Sequence, residues 1–148
     1  MHKLVPETEG MHFEGGCHCG AIRFSVQGPM RQIVVCHCYD CRRLTGSSWS
    51  ATAVPEDNFE FLSKARPRWY ASSSWAQRGF CEKCGANMLY KIMNRPMLSV
   101  AAGALDDSNA LRVSGQIFAD SHPKWGPPGP DLPHLDDQIK YDPLGRRE

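Results

Sequence analysis

The sequence predicts a mainly β protein, and three observations carry that prediction. Its candidate strands are four to seven residues long, contain β-branched or aromatic residues, and are bounded by Gly, Pro, Asn or Asp. No long amphipathic helical pattern competes with them. All seven cysteines lie within three residues of another cysteine, which is typical of metal sites that stabilise small domains.

Five segments fit the strand pattern best: residues 22–26, 32–35, 49–54, 88–92 and 112–118. Turns are predicted at 55–58 and 105–109, where Pro, Asp and Asn are concentrated. One short helical turn is predicted over residues 40–44, with Asp40 as its amino-terminal cap and Gly46 as its stop.

The length of 148 residues suits one domain with its own core and is too short for two ordinary domains. We predict an amino-terminal tail over residues 1–12, a zinc domain over 13–135 and a carboxy-terminal tail over 136–148. From residue 126 the chain is rich in Pro and Gly and is expected to lack regular structure. Within that region, residues 131–135 are the part expected to pack on the core.

Charge and hydropathy argue against several classes of partner. The 17 basic and 16 acidic residues are interleaved, so no basic surface for nucleic acid or an anionic membrane is predicted. The longest weakly polar run, residues 97–105, is far shorter than the ~20 residues of a membrane span, and residues 1–10 lack the apolar core of a signal peptide. We therefore expect a cytoplasmic protein, where clustered cysteines more often bind metal than form disulfides.

The seven cysteines divide into four and three. Cys36, Cys38 and Cys41 lie on one short stretch and can occupy three corners of a tetrahedron around one zinc ion. The fourth corner is then open to water or a substrate atom, which is the mark of a functional zinc site. The alternative is a second structural zinc that a side chain closes, with the candidates being an acidic residue, His18, His37 or His122.

The remaining cysteines form two pairs, Cys17 with Cys19 and Cys81 with Cys84. The second pair has a zinc-knuckle pattern in which Gly85 permits a tight backbone turn after the last ligand. Together the pairs predict a four-sulfur zinc site that leaves no position for a substrate and is therefore structural.

Arg42, Arg43 and Trp49 follow the cysteine triplet closely and are candidate substrate-binding residues. The arginines and the dipole of the predicted helical turn would favour the thiolate form and attract a carboxylate-bearing substrate; the alternative is that both arginines are merely solvated. The aromatic residues that could line a pocket, or simply form core, are Trp49, Trp75, Phe80 and Trp125.

Three segments carry a family resemblance: residues 15–24 (GGCHCGAIRF), 36–47 (CHCYDCRRLTGS) and 78–86 (RGFCEKCGA). They resemble the glutathione-dependent formaldehyde-activating (GFA) family, the S-(hydroxymethyl)glutathione synthases, also called the centromere protein V/GFA domain. Residues 103–107 and 117–118, followed by Trp125 and Leu132-Pro133, resemble the carboxy-terminal pattern of the family. The resemblance runs in order from about residue 15 to 135.

The resemblance implies a β-tent fold of short antiparallel strands with two zinc ions per chain. It implies a structural zinc on the two cysteine pairs and a catalytic zinc on the triplet. The implied activity is that of a carbon–sulfur lyase acting in the synthetic direction on formaldehyde and glutathione. In the mechanism this suggests, the open zinc binds the thiol, lowers its pKa and holds the thiolate beside the formaldehyde carbonyl.

Two other functions compete with this one. The thiol could be a small thiol other than glutathione, or the domain could be a zinc-scaffolded binding module without chemistry. A side chain that closes the fourth corner of the triplet zinc in both the resting and thiol-bound forms would favour the module. A methionine sulfoxide reductase is excluded, because it needs a nucleophilic cysteine outside the metal sites and none remains.

Overall fold

The structure is a computed structural model, and it describes Leu4 and residues 6–135. It is mainly β, as the sequence predicts, with two sheets and a single α-helix among the described residues. In the described part of the chain, no helix has the length and apolar character that crossing a membrane requires. The predicted tail over 136–148 lies outside the described residues.

The larger sheet has seven strands in the order β10-β3-β4-β9-β8-β7-β6. Its strands are β3 (Ile33–Cys36), β4 (Trp49–Pro55), β6 (Arg68–Ala71), β7 (Ala76–Phe80), β8 (Asn87–Ile92), β9 (Met97–Ala101) and β10 (Val113–Ile117). The smaller sheet has three strands in the order β1-β2-β5, namely β1 (His12–Gly16), β2 (Arg23–Gln27) and β5 (Phe59–Phe61). Adjacent strands are antiparallel in both sheets except for β10, which runs parallel to β3.

The five predicted strands correspond to β2, β3, β4, β8 and β10, with ends that shift by one residue at most. Five further strands escape the sequence pattern. β6 is exposed along its whole length and so lacks the alternation that marks a half-buried strand, while β1 ends in two glycines, which have low β propensity.

The single helix, α1 (Tyr39–Thr45), extends the predicted helical turn by one residue at each end. Its cap is not Asp40 as predicted but Cys38, whose sulfur accepts the backbone N–H of Cys41. The predicted stop is confirmed: Gly46 adopts a left-handed conformation with φ of 89° and donates its N–H to the carbonyl of Arg42.

The buried apolar residues form two clusters. One contains Phe24, which is fully buried and whose burial stabilises the fold by about 1.5–3 kcal/mol, together with Cys17 and Cys81. The other contains Cys36 and Cys41. Each group of cysteines is therefore part of a different region of the core.

Both ends of the described chain pack on this core. Thr8, inside the predicted amino-terminal tail, is buried and accepts the backbone N–H of Met30 at 2.8 Å. Near the other end, Gln116 donates its backbone N–H to Pro133 and accepts that of Leu135, whose side chain packs on the second cluster. The packing expected for residues 131–135 is confirmed, and the domain bounds themselves stay a prediction.

Candidate metal centres

The structure brings together the sulfurs of Cys17, Cys19, Cys81 and Cys84, which all lie within 4.8 Å of one another. The Cys17 and Cys19 sulfurs are 3.6 Å apart, and the Cys19 and Cys81 sulfurs are 3.8 Å apart. Four sulfurs that bind one tetrahedral ion at about 2.3 Å are separated by about 3.8 Å from each other. The sulfur spacing in this cluster therefore fits a metal ion.

Two similar backbone turns present these sulfurs. In the first, Cys17 donates its N–H to the carbonyl of Ile22, and the N–H of Ile22 points back to the Cys17 sulfur at 3.3 Å. In the second, Cys81 donates its N–H to Ala86, and the N–H of Gly85 binds the carbonyl of Cys81 at 2.7 Å. Gly85 has a φ of 78°, which explains why glycine follows the second cysteine.

Backbone hydrogen bonds also make the Cys84 thiol of this cluster more acidic. The N–H of Ala86, and next that of Cys19, lower the pKa of the Cys84 thiol from 9.0 to about 6. Cys17 and Cys81 are buried, Cys84 is half-buried and Cys19 is exposed. The turns thus help to keep the thiolate form that a metal requires.

The second group consists of Cys36, Cys38 and Cys41, whose sulfurs also lie within 4.8 Å of one another. Cys36 ends β3, Cys38 caps α1, and Cys41 lies in the first turn of that helix. Among the described residues, no fourth Cys, His, Asp or Glu joins this group. Cys36 and Cys41 are buried and Cys38 is half-buried, so the cluster is reached from the Cys38 side.

The three thiols of this group share charge unequally. Hydrogen bonding to the thiols of Cys38 and Cys41 raises the pKa of Cys36, whereas hydrogen bonding from Cys36 and Cys41 lowers the pKa of Cys38. A single negative charge is therefore concentrated on Cys38, with its neighbours as donors. Metal binding to all three sulfurs requires release of the remaining protons.

The histidines that are the alternative candidates for the fourth ligand lie in other surroundings. His37 is buried, and its Nε2 lies 3.1 Å from the side-chain oxygen of Gln116. The amide nitrogen of Gln116 in turn donates to the carbonyls of Gly129 and Leu132. The Nδ1 atom of His122 contacts the carbonyl of Pro123 at 2.8 Å, and His18 is exposed.

The predicted substrate residues have different surroundings. Arg42 is half-buried, lies over the Tyr39 ring and lines a cavity of about 110 Å³ together with His37 and Trp125. Arg43 is exposed. Trp49 is buried yet also lines an open groove of about 740 Å³, which Cys17 lines as well.

The other predicted aromatic residues divide between cavity and core. Trp125 is 68 % exposed and belongs to the cavity of about 110 Å³. Trp75 packs on the second core cluster, and Phe80 is half-buried at the end of β7.

Sequence reasoning missed Arg78, which contacts the three-cysteine cluster directly. Its Nη2 atom lies 3.6 Å from the sulfur of Cys41. Its guanidinium also lies over the rings of Tyr90 and Trp49, at 4.4 and 5.3 Å from their centroids. An available signal was the alternation of β7, in which Arg78 occupies an inward position two residues after Ala76.

The chain is mainly β, and its cysteine sulfurs lie in one group of four and one group of three. These features are those of a small β protein organised around two candidate metal sites. The family model for the glutathione-dependent formaldehyde-activating enzyme matches residues 12–121. The chain therefore belongs to the GFA family.

Individual relatives agree with this assignment. The chain is 34% identical over 86 residues to an uncharacterized lyase of Schizosaccharomyces pombe, a match that covers 55% of this chain and 59% of the relative. It is 26% identical over 125 residues to a putative glutathione-dependent formaldehyde-activating enzyme of Halomonas elongata, covering 78% of this chain and 80% of that protein.

One solved structure is similar in fold. A crystal structure of a Rhodobacter sphaeroides protein superposes with a TM-score of 0.50 at 24% identity, covering 65% of this chain and 90% of that chain. At this level of identity the likeness supports the fold alone.

Proposed function

We propose that the protein is a zinc-dependent carbon–sulfur lyase of the S-(hydroxymethyl)glutathione synthase type, built on the β-tent fold and joining formaldehyde to glutathione or another small thiol. The observation that carries the proposal is the three-sulfur cluster, which no fourth described Cys, His, Asp or Glu side chain completes. In this proposal the four-sulfur cluster holds a structural zinc, and Cys36, Cys38 and Cys41 hold a catalytic one.

The donor set suits this assignment. Thiolate sulfur is a preferred ligand of zinc, and three protein ligands with one free position are typical of catalytic zinc sites. A zinc ion bound by these cysteines would supply a free coordination position and Lewis acidity that lowers the pKa of a bound thiol.

The reaction itself needs few protein groups. The sulfur of a thiolate adds to the carbonyl carbon of formaldehyde, a carbon–sulfur bond forms, and the carbonyl π electrons move to the oxygen, which takes a proton from water. No oxidant or reductant is required. The role of the chain is then to hold the thiol in its reactive form and position beside the half-buried Cys38.

Neighbouring residues have roles that follow from their contacts. Arg42 lines a cavity beside His37, so we assign it to a carboxylate of the thiol substrate. The Gln116 amide connects His37 to the backbone of the 129–132 segment and thereby fixes the ring between two of the ligands. Arg43 and Trp49 are weaker candidates, because one is exposed and the other is largely core.

The proposal includes a cytoplasmic location. Reduced glutathione is abundant in a reducing compartment, and free thiolates there remain available for metal. The four-sulfur cluster supports the same location, since its exposed Cys19 would be open to oxidation elsewhere.

Exchange NMR between formaldehyde and its glutathione adduct tests the activity in the full chain loaded with two zinc ions. We expect exchange faster than the buffer background, and a return to background in Cys41→Ser. The matched control is Asp40→Asn, because Asp40 is exposed on the same helix and belongs to neither cysteine group. Repeating the measurement with cysteine and 2-mercaptoethanol identifies the preferred thiol.

Two results would contradict the proposed lyase activity. Background exchange with every thiol, in a chain that retains both zinc ions, would reject the lyase and leave a metal-scaffolded binding module. Unchanged exchange in Cys41→Ser would remove the reaction from the three-cysteine cluster.

A further inference from the structure

Arg78 is a buried cation beside the three-cysteine cluster. It lies in the middle of β7 and is only 5 % exposed, and its Nη2 atom points at the Cys41 sulfur from 3.6 Å. The faces of Tyr90 and Trp49 pack against the guanidinium. These aromatic contacts fix the plane of the group and leave it little freedom to turn away.

The guanidinium lacks the partner that buried arginines normally have. Its Nε and Nη1 atoms are buried without a hydrogen-bond partner among the described residues, and no described carboxylate forms an ion pair with it. A buried charge is costly unless an opposite charge compensates it. A source of negative charge in direct contact with the guanidinium is the cysteine cluster, through the sulfur of Cys41.

The charges match when the cluster holds metal. Three thiolates and one divalent ion carry a net charge of minus one, and a thiolate as fourth ligand makes it minus two. One guanidinium cancels the charge of minus one completely, and it cancels half of the charge of minus two. Arginine suits this position because its planar guanidinium combines a positive charge with several N–H donors and stacks on aromatic rings.

We propose that Arg78 is a positioning residue that acts through Cys41: it neutralises the thiolate-rich metal site and so favours a thiolate over a neutral molecule as the fourth ligand. This inference rests on the proposed metal at Cys36, Cys38 and Cys41. It places a determinant of the fourth ligand on β7, outside residues 36–41. The Nη2 atom provides one donor to a sulfur ligand, that of Cys41.

A purely structural Arg78 would fill space between Trp49 and Tyr90 and have no preference for charge. The two roles separate when the charge is removed but the length of the side chain is kept. Arg78→Met preserves most of the aliphatic packing and is neutral, whereas Arg78→Lys keeps the charge. Arg31→Met is the matched control, because Arg31 is also buried but donates to the carbonyls of Gln32 and Ala51.

The experiment uses the full chain loaded with Co²⁺, whose absorption bands report the ligands around the metal. For each variant, chelator competition gives the dissociation constant of the more weakly held ion. Titrations then give the dissociation constants of two added ligands, 2-mercaptoethanol as a thiolate and imidazole as a neutral molecule. We expect Arg78→Met to weaken the metal and 2-mercaptoethanol about tenfold or more, with little change for imidazole. Arg78→Lys should recover most of the loss, and Arg31→Met should match the parent.

Several outcomes would overturn the inference. Parent-like constants in Arg78→Met would show that the charge is not needed. Equal losses for 2-mercaptoethanol and imidazole, with no recovery in Arg78→Lys, would show a packing role instead. A parent chain that holds one ion would reject the open metal site itself, whereas two ions in the parent with unchanged constants in Arg78→Met would reject only the role of Arg78.

Discussion

The two cysteine clusters use the same ligand chemistry but are built in opposite ways. The four-sulfur cluster joins cysteines that are 62 residues apart, such as Cys19 and Cys81, and two of its members, Cys17 and Cys81, belong to the first core cluster. The three-sulfur cluster is contained in residues 36–41, where a strand becomes a helix. The first connects distant parts of the chain, and the second organises one local turn.

Because of this difference, a metal ion bound at each site would affect the stability of the fold differently. A cross-link between distant residues removes conformational entropy from the unfolded chain and gains more as the closed loop grows. A local cluster closes almost no loop, so a metal bound there adds little to the stability of the sheets. In the proposed function its fourth position is free for chemistry, and we expect the fold not to depend on it.

The largest expected effect is the loss of one ligand from the four-sulfur cluster. Structural zinc sites contribute about 10–16 kcal/mol in small metal-dependent folds, whereas whole domains are stable by about 5–15 kcal/mol. We therefore expect Cys81→Ser to unfold much of the domain, as measured by circular dichroism and metal content. Cys41→Ser should keep the fold and lose one of two metal ions.

The pair of variants contains its own control, because each replaces a buried cysteine by serine. A folded Cys81→Ser chain with one metal ion would break the proposed division between the sites. So would a Cys41→Ser chain that unfolds.

A smaller effect is expected when a chelator is added in increasing amounts to the native protein. The three-sulfur cluster offers three protein ligands rather than four, so its metal should leave first without a change in far-ultraviolet circular dichroism. Removal of the second ion should coincide with unfolding. Simultaneous loss of both ions would mean that the sites are not separable.

The smallest expected effects concern two glycines with left-handed backbone. Gly85 follows the four-sulfur cluster with φ of 78°, and Gly46 ends α1 with φ of 89°; a Cβ atom at either would meet nothing within 4 Å. Alanine should therefore cost only the backbone penalty, about 1–2 kcal/mol in the free energy of unfolding by denaturant titration. Gly85→Ala should also weaken the tighter metal, whereas Gly46→Ala should leave it unchanged.

An equal effect of both substitutions on the tighter metal would show that the turn after Cys84 does not shape its site.

Much of this arrangement was predictable because it is encoded locally. The spacing of the cysteines predicts the triplet and the two pairs, since ligands one to three residues apart share a turn, and the two pairs are assigned to one group because they are what remains. The mainly β class and the end of the helix at Gly46 were predictable for the same reason. The proposed division into structural and catalytic zinc remains a prediction.

What the sequence did not predict depends on long-range pairing. Arg78 reaches Cys41 only because β7 lies in the same sheet as β4 and β3, an order that local patterns do not specify. The contact of Gln116 with His37 depends on the parallel pairing of β10 with β3, which joins strands at opposite ends of the chain. Side-chain oxygens usually cap helices, which favours Asp40 from the sequence, but here the sulfur of Cys38 is the cap.

The position of strand β7 suggests an order in which the two sites are filled. Cys81 directly follows its last residue, and Arg78 lies three positions earlier with its guanidinium at the other cluster. In the proposed function, a metal ion at the four-sulfur group anchors the end of β7 and so helps to place Arg78 at the three-sulfur group. When zinc is scarce, singly loaded chains should hold their ion at the four-sulfur site, so that the reactive position is completed last.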